Sequence, residues 1–195
     1  MTALVCNGQR VLTPDEVTAI QNVITKPSAR ALFDLMLFTG LRLSEVKQIV
    51  NNPAIFDEKR KIITITSSKK EATQKTRNVH LCDNGITAVR SFLANPKIPS
   101  SPSAWQMNLI RWCRSARIEP LAGKDLTDKG NIYGITVRTT RKTLESWLLT
   151  AYPDRSVNIA LSQGHTVLVQ LQHYLNLSYT QQEIGLIKGM VDGWV

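Results

Sequence analysis

Apolar residues recur at helical spacing in the first quarter of the chain. Residues 13–16 have the pattern of a capping box with proline at the first helical position, which predicts a helix ending near Thr25. A second, largely buried helix is predicted over residues 27–40, because glycine then ends the periodic pattern. A third short helix is predicted to open at Ser44 and to end before Asn51.

The pattern then changes from helical spacing to runs typical of strands. Residues 62–66 are rich in β-branched side chains, and residues 78–81 have a similar composition. These two segments predict a β-hairpin joined by a polar turn, whose tip should face solvent. The turn contains three lysines, which are Lys69, Lys70 and Lys75.

Helical spacing returns beyond the hairpin. Further helices are predicted from a cap at Asp83 or Asn84 to about Leu93, from Ser103 through Cys113, and from about Thr136 to Ala151. Short helices are predicted near residues 156–161, 166–173 and 181–188. The fold class is therefore mainly α with a small antiparallel β-sheet (α+β). The length favours one domain over residues 1–195.

The charge balance indicates an acidic binding partner. Lys and Arg total 24 against 15 Asp and Glu, which gives a formal net charge of +9. Nucleic acid is the commonest partner of such a domain, because each neutralised phosphate releases a condensed counterion. The alternative is a basic protein without such a partner.

Cysteine usage and hydropathy narrow the class further. Cys6, Cys82 and Cys113 are odd in number and lack CxxC spacing, so neither a disulfide framework nor a metal site is predicted, and the thiols are expected to be reduced and partly buried. The longest strongly apolar run, residues 31–38, is far shorter than the roughly 20 residues that span a bilayer. The N-terminus lacks a signal-peptide pattern. We expect a soluble, intracellular protein with no membrane partner.

Four separated segments carry the candidate chemistry. They are TGLRLSEV at residues 39–46, RTTRKT at residues 138–143, GHT at residues 164–166, and Tyr174, which lies nine residues beyond His165. Together they resemble the first and second boxes, the Gly-His turn and the nucleophilic tyrosine of the tyrosine recombinase (phage integrase) family. The resemblance extends over residues 12–179, leaves residues 180–195 as a C-terminal tail, and implies the family's catalytic domain, a DNA breaking-rejoining fold.

Two arginines in these segments suit a phosphate clamp. Attack on a phosphodiester adds negative charge to its nonbridging oxygens, and a guanidinium is a permanently charged planar fork that binds them bidentately. Arg42 and Arg141 are the candidates. The alternative for Arg42 is a helix-corner residue bonded to carbonyls or to Glu45, and for Arg141 a solvated helix face. The apolar neighbours Leu144 and Trp147 place Arg141 near the core, where an unpaired guanidinium would be costly.

His165 and Tyr174 would supply proton transfer and the nucleophile. His165 can donate to a phosphate oxygen or shuttle a proton near neutral pH, although a lone histidine is more often structural. Tyr174 would form a phosphotyrosyl bond that conserves the energy of the broken phosphodiester, so no metal, ATP or other cofactor is required. A core position is the alternative for Tyr174. Tyr179 is the rival nucleophile, and Tyr152 and Tyr133 are less favoured.

The resemblance implies a lysine general acid on the hairpin tip, which would protonate the leaving 5′ oxygen. Lys70 best fits the distance to Arg77 and the following strand, and Lys69 is the alternative. The alternative for all three lysines is that they are ordinary solvent-exposed charges, as is usual in such a turn. Further DNA contacts are predicted for Lys69, Lys75, Arg77, Arg111 and Arg114.

The chain departs from the family at Arg138, where the family has His or sometimes Lys. Arginine supplies charge and donors but cannot act as a base, so Arg138 is expected to stabilise phosphate charge without taking part in proton transfer. About a dozen residues precede the first predicted helix, so we expect no N-terminal core-binding domain of the kind common among integrases. Affinity for DNA should then be modest, since fewer phosphates are engaged.

The resemblance implies a site-specific recombinase or integrase that acts on double-stranded DNA through a 3′-phosphotyrosyl intermediate. It also implies a homo-oligomer, a dimer or tetramer on DNA, with an accessory DNA-binding protein as a further candidate partner, in the cytoplasm and nucleoid of a prokaryotic host. The alternative functions are those of a type IB topoisomerase and of a non-catalytic DNA-binding protein. The tail is expected to expose apolar residues that could dock on a neighbouring protomer, and packing in cis is the alternative. These residues are Ile184, Leu186, Ile187, Met190 and Val191.

Overall fold

The computed structural model describes residues 3–6, 8–66, 76–120, 134–164 and 177–194, apart from the side chain of Cys6. The helices in this part of the chain are α1 (Pro14–Val23), α2 (Pro27–Thr39), α3 (Leu43–Asn51), α4 (Asp83–Ala94), α5 (Pro102–Ser115), α6 (Thr139–Ala151), α7 (Ser156–Gln163) and α8 (Gln181–Met190). Two 3₁₀ turns, Pro53–Ile55 and Pro153–Arg155, follow α3 and α6. The helix predicted over residues 166–173 and the tip of the predicted hairpin lie outside the described residues.

Two small antiparallel sheets accompany the helices. One pairs β1 (Leu4–Cys6) with β2 (Gln9–Val11), and the other has the order β3 (Phe56–Asp57), β4 (Ile62–Thr66), β5 (Thr76–His80). The predicted mainly helical class with a small antiparallel sheet is therefore confirmed. Strand β3 and the β1–β2 hairpin were not predicted, because segments of two or three residues are too short to show a periodic pattern.

The register of β4 and β5 determines which side chains face the protein interior. Ile63 lies opposite Val79 and Ile65 lies opposite Arg77. Directly opposed residues share one face of a sheet, and Ile63, Ile65 and Val79 are buried. Arg77 therefore belongs to the inward face of this sheet.

Local capping explains the ends of the first two helices. Thr13 accepts a hydrogen bond from the backbone N–H of Glu16, and the Glu16 side chain accepts one from the N–H of Thr13, so the predicted capping box is present. Helix α2 ends at Gly40, whose φ of 64° is the left-handed conformation that glycine adopts without strain. Arg42 lies two residues after this turn and caps the start of α3.

Three predicted helix starts were displaced by a few residues. Helix α4 is capped by Cys82, whose Sγ accepts from the N–H of Gly85, and not by Asp83 or Asn84. Helix α5 begins at Pro102 with Ser101 as its cap, one residue before the predicted start at Ser103. Helix α6 begins at Thr139 and not near Thr136, because the Thr136 N–H donates to the Thr139 hydroxyl and forms a turn instead.

The core lies between α2 and the helices on either side of it. Helix α2 packs against α4 and α6, and the indole of the buried Trp147 on α6 donates to the carbonyl of Leu12 at 3.1 Å. Cys82 and Cys113 are free and buried, as expected, and burial raises the pKa of Cys82 to about 11 and that of Cys113 to about 12. Among the described residues, no helix is long and apolar enough to cross a membrane.

The C-terminal tail packs in cis against the body of the same chain. Ile187 and Val191 are fully buried and Trp194 nearly so, which corrects the prediction that Ile187 and Val191 are exposed. The Trp194 indole donates to the carbonyl of His80 at 3.0 Å, and the N–H of Asp83 donates to the carbonyl of Asp192. The sequence pattern did not reveal these contacts, because their partners lie more than 100 residues away.

Candidate active site

Arg42 stands at the corner between α2 and α3. Its backbone N–H donates to Glu45 Oε2 at 2.8 Å, and its Nη1 lies 3.3 Å from Glu45 Oε1. The side chain of Arg42 remains 53% exposed despite this ion pair. The alternative contact considered for Arg42, with Glu45, is thus present, and it leaves half of the side chain accessible to a ligand.

Arg141 is buried in the first turn of α6. Its Nη1 donates to the carbonyl of Gly40 at 2.8 Å, its Nη2 donates to the carbonyl of Gln163, and its Nε lies 3.2 Å from Glu145 Oε1. The solvated alternative for Arg141 is wrong, because its side chain is 6% exposed. Burial lowers the pKa of Arg141 and the Glu145 carboxylate opposes that shift. A guanidinium stays charged under such conditions.

Arg77, on strand β5, is the third arginine of this cluster. Its Nη2 lies 2.8 Å from Glu45 Oε2, and its Nη1 donates to the carbonyl of Ser162. Its side chain is 16% exposed. Glu45 Oε1 therefore pairs with the Arg42 guanidinium, while Glu45 Oε2 pairs with Arg77 and also accepts the backbone N–H of Arg42.

The proximity of the three arginines affects the pKa values of the groups in this cluster. Burial works against ionisation of Glu45, but the charge of Arg77 and the N–H of Arg42 outweigh it and hold the pKa of Glu45 below its ordinary value. The charges of Arg77 and Arg42 also lower the pKa of Arg141, after the larger effect of burial. Among the described residues, three guanidiniums face two carboxylates, Glu45 and Glu145, so this part of the cluster carries a net positive charge beside the exposed half of Arg42.

Two glycines allow the close packing of this cluster. Gly40 contacts the side chain of Gln163, and a Cβ at Gly40 would lie 2.5 Å from Gln163 Oε1. A Cβ at Gly164 would lie 3.0 Å from Arg77 Cδ, and the φ of Gly164 is 70°. Both glycines of the predicted segments are therefore required for space as well as for backbone conformation.

The other predicted residues lie elsewhere or outside the described part of the chain. Arg138 is exposed at the start of α6, three residues before Arg141, and within the described residues its side chain has no hydrogen bond or ion pair. Arg111 and Arg114 are exposed on α5, where Arg111 Nη2 donates to Asn108. The remaining predicted site residues, Lys69, Lys70, Lys75, His165 and Tyr174, lie outside the described residues.

Two of the rival tyrosines have hydroxyls engaged in the fold. The Tyr179 hydroxyl lies 2.7 Å from Ser146 Oγ, and the tyrosine packs against the core. The Tyr152 hydroxyl donates to the carbonyl of Val191 at 3.1 Å, and burial raises the pKa of Tyr152. The third, Tyr133, lies outside the described residues.

The two carboxylates that form ion pairs with these arginines, Glu45 and Glu145, were not predicted as site residues. Glu45 was considered only as an alternative partner of Arg42, although an acidic residue three positions after a helix cap is a known pattern. Glu145 follows Arg141 by four positions, a spacing that brings side chains together on a helix. Gln163 had no signal in the sequence, since its contacts are with residues more than 20 positions away.

Comparison with solved structures shows the fold. The XerA recombinase matches with a TM-score of 0.63 at 18% identity, covering 92% of this chain and 64% of its own. The Tn1549 transposon integrase in complex with circular intermediate DNA has a TM-score of 0.61 at 13% identity, with 87% and 63% covered. The integrase from mycobacterium phage Brujita has a TM-score of 0.54 at 16% identity, with 91% and 63% covered.

These likenesses place the chain in the tyrosine recombinase catalytic-domain fold, as the four sequence segments predicted. The chain spans less than two thirds of the length of these three proteins. At the level of sequence, no family model and no curated protein matches it.

Proposed function

We propose that the protein is a site-specific DNA recombinase or integrase that cleaves and rejoins DNA strands through a 3′-phosphotyrosyl intermediate. The observation that carries this proposal is the net-positive cluster of Arg42, Arg77 and Arg141, which is built on a fold shared with recombinases and integrases. The Tn1549 transposon integrase with that fold was solved bound to DNA. Double-stranded DNA is accordingly the proposed partner, in keeping with the net charge of +9.

The two clamp arginines have complementary roles in this proposal. Arg42 is half exposed and would contact the nonbridging oxygens of the scissile phosphate directly. Arg141 is fixed by two backbone carbonyls and Glu145, so it would provide a positive charge that does not have to reorganise as the transition state forms. Arg138, exposed at the start of the same helix, would add charge at the edge of the site without taking part in proton transfer.

The proposed reaction conserves the phosphodiester energy. The Tyr174 hydroxyl oxygen attacks phosphorus and forms a bond to the 3′ phosphate, while the bond from phosphorus to the 5′ oxygen breaks. Lys70, or Lys69 as its alternative, donates a proton to the leaving 5′ oxygen. The proton of the Tyr174 hydroxyl passes to His165 if this residue acts in proton transfer, and to solvent if His165 instead donates to a phosphate oxygen. Attack by a 5′ hydroxyl on the phosphotyrosyl bond reverses these steps and rejoins a strand.

The proposal includes assembly on DNA. Strand exchange between two sites requires several protomers, so we expect a dimer or tetramer on DNA, with an accessory DNA-binding protein where the contacts of this domain are too few. Such a protein would work in the cytoplasm and nucleoid of a prokaryotic host, on the DNA of a mobile element or virus. Lys69, Lys75, Arg111 and Arg114 remain the proposed sources of further phosphate contacts.

A covalent-capture experiment tests this proposal. The wild-type protein and Tyr174→Phe are incubated with nicked suicide duplexes from a randomised library, and denaturant-resistant protein–DNA adducts are captured and their DNA sequenced. We expect an adduct with the wild type, enriched in one sequence, and none with Tyr174→Phe. A wild-type protein that binds DNA without forming an adduct is a binding module. Relaxation of supercoiled plasmid without recombinant products indicates a topoisomerase.

A further inference from the structure

Arg77 connects elements that the candidate chemistry draws on. It lies on β5, opposite Ile65 and on the inward face of the sheet. Its guanidinium contacts Glu45 on α3, which is 32 residues away in the sequence, and Ser162 in the last turn of α7, which is 85 residues away. Few side chains can make such a bridge, because it requires a planar group with several donors in a fixed geometry.

The contact with Glu45 links Arg77 to Arg42. Arg77 Nη2 lies 2.8 Å from Glu45 Oε2, the same oxygen that accepts the N–H of Arg42 at 2.8 Å. The other oxygen of Glu45 lies 3.3 Å from Arg42 Nη1. Arg42 and Arg77 therefore share one carboxylate, with the Arg42 guanidinium on Oε1 and the Arg77 guanidinium on Oε2. The position of Glu45 between them couples the two guanidiniums.

The second contact holds the end of α7. Arg77 Nη1 donates to the carbonyl of Ser162, and the alkyl part of Arg77 lies so close to Gly164 that a Cβ there would be 3.0 Å from Cδ. The N–H of His80, on the same strand, donates to the Ser162 hydroxyl at 3.0 Å. Cations near a helix C-terminus are favourable because its carbonyls carry partial negative charge. Strand β5 is therefore fixed to α7 at two points.

We propose that Arg77 is a positioning residue for DNA cleavage, which aligns Arg42 through Glu45 and fixes the end of α7, and that it does not bind DNA itself. This inference rests on the proposed function. It replaces the sequence-based expectation of a DNA contact, since the side chain is 16% exposed and both Nη atoms are engaged within the protein.

Loss of Arg77 has a definite chemical consequence. Glu45 would retain Arg42 as its ion-pair partner, and the guanidinium of Arg42 would turn towards the carboxylate and away from a phosphate. A displacement of about 1 Å in a positioned group slows a reaction by about 100-fold. Affinity for DNA should change little, because phosphate contacts set it and Arg77 contributes none.

The test compares Arg77→Ala, Arg77→Lys and the matched control Arg90→Ala, whose side chain is 61% exposed and pairs with Glu58 on the surface. Single-turnover adduct formation is measured at saturating concentrations of the enriched nicked duplex, and dissociation constants are measured at several salt concentrations. Tryptophan fluorescence verifies that each variant is folded. If Arg77→Ala does not fold, the comparison rests on Arg77→Lys, which keeps one charge but cannot bridge Glu45 and Ser162.

We expect adduct formation to slow by about 100-fold in Arg77→Ala and by less in Arg77→Lys, with Arg90→Ala unchanged. The slope of log affinity against log salt should equal that of the wild type. A slope smaller by about 0.9 would mean that Arg77 neutralises a phosphate and would overturn the inference. An unchanged rate would also overturn it. A wild-type protein without adduct refutes the proposed function, and the role of Arg77 then falls with it.

A double-mutant cycle with Glu45→Gln tests the route of the effect. If Arg77 acts through Glu45, the two substitutions together slow the reaction by less than the product of their separate effects. Independent effects that multiply would contradict alignment of Arg42 through Glu45.

Discussion

Replacing Arg141 by alanine should destabilise the protein far more than an ordinary ion-pair deletion. The substitution leaves the Glu145 carboxylate, whose side chain is 2% exposed, without its guanidinium partner. It also removes the donors to the carbonyls of Gly40 and Gln163. Removal of one partner from a buried pair costs about 3–5 kcal/mol, because the remaining charge keeps its cost of burial and loses the attraction of that partner. For a chain of this size that corresponds to a fall in Tm of about 6–20 °C.

The matched control has the same helical spacing in a more exposed setting. Arg30 and Asp34 also form an i,i+4 pair, but their side chains are 36% and 22% exposed. Arg30→Ala should cost about 1 kcal/mol or less, since solvent screens such pairs. Urea unfolding followed by tryptophan fluorescence measures both variants. If Arg141→Ala loses no more unfolding free energy than Arg30→Ala, burial does not make the Arg141–Glu145 pair more costly to break.

The same residue also allows the structural and chemical roles to be separated. Arg141→Lys keeps a charge beside Glu145 but loses the planar fork that reaches both carbonyls. We expect it to recover part of the stability lost in Arg141→Ala while adduct formation remains at least about 100-fold slower than in the wild type. Wild-type activity in Arg141→Lys would show that charge alone suffices at this position.

Two further predictions concern Glu45 and the C-terminal tail. The folded pKa of Glu45 lies below its ordinary value of 4.5, so its contribution to stability is present above that pH and is lost as pH falls through the folded pKa. The difference in unfolding free energy between wild type and Glu45→Gln should therefore shrink from pH 6 to pH 3 in urea titrations, and a constant difference would contradict this assignment. Trp194→Ala should lower the unfolding free energy by about 3–5 kcal/mol, because Trp194 is buried and bonded to His80. Calorimetry of this variant beside the exposed control Met107→Ala, which should change little, tests packing in cis, and equal Tm values would argue against it.

The features predicted well from the sequence are those determined within one or two helical turns. The capping box at Thr13 and the left-handed stop at Gly40 depend on neighbouring residues and are present as predicted. The burial of Arg141 followed from the apolar residues that share its helix. The helix starts that were displaced depended on which of two or three adjacent polar residues supplies the cap, a choice that a single sequence does not determine.

The features that were missed depend on contacts between distant segments. Arg77 was predicted as a DNA contact, and its contacts with Glu45 and Ser162 were not predicted. Its position two residues before the buried Val79 already placed it on the inward face of the strand. Its partners, Glu45 and Ser162, become neighbours only when the sheet packs against α3 and α7. For the tail, exposure and packing in cis were both left open, because its contacts with α1 and α6 are made with segments that are distant from it in the sequence.

The most direct test of the account is to identify the residue that carries the DNA in the captured adduct. Trypsin should release a peptide spanning residues 156–188, which contains both Tyr174 and Tyr179, and fragmentation in a mass spectrometer assigns the nucleotide to one of them. We expect a phosphodiester bond on Tyr174. A nucleotide on Tyr179, whose hydroxyl lies 2.7 Å from Ser146 Oγ, or on any other residue, would contradict it.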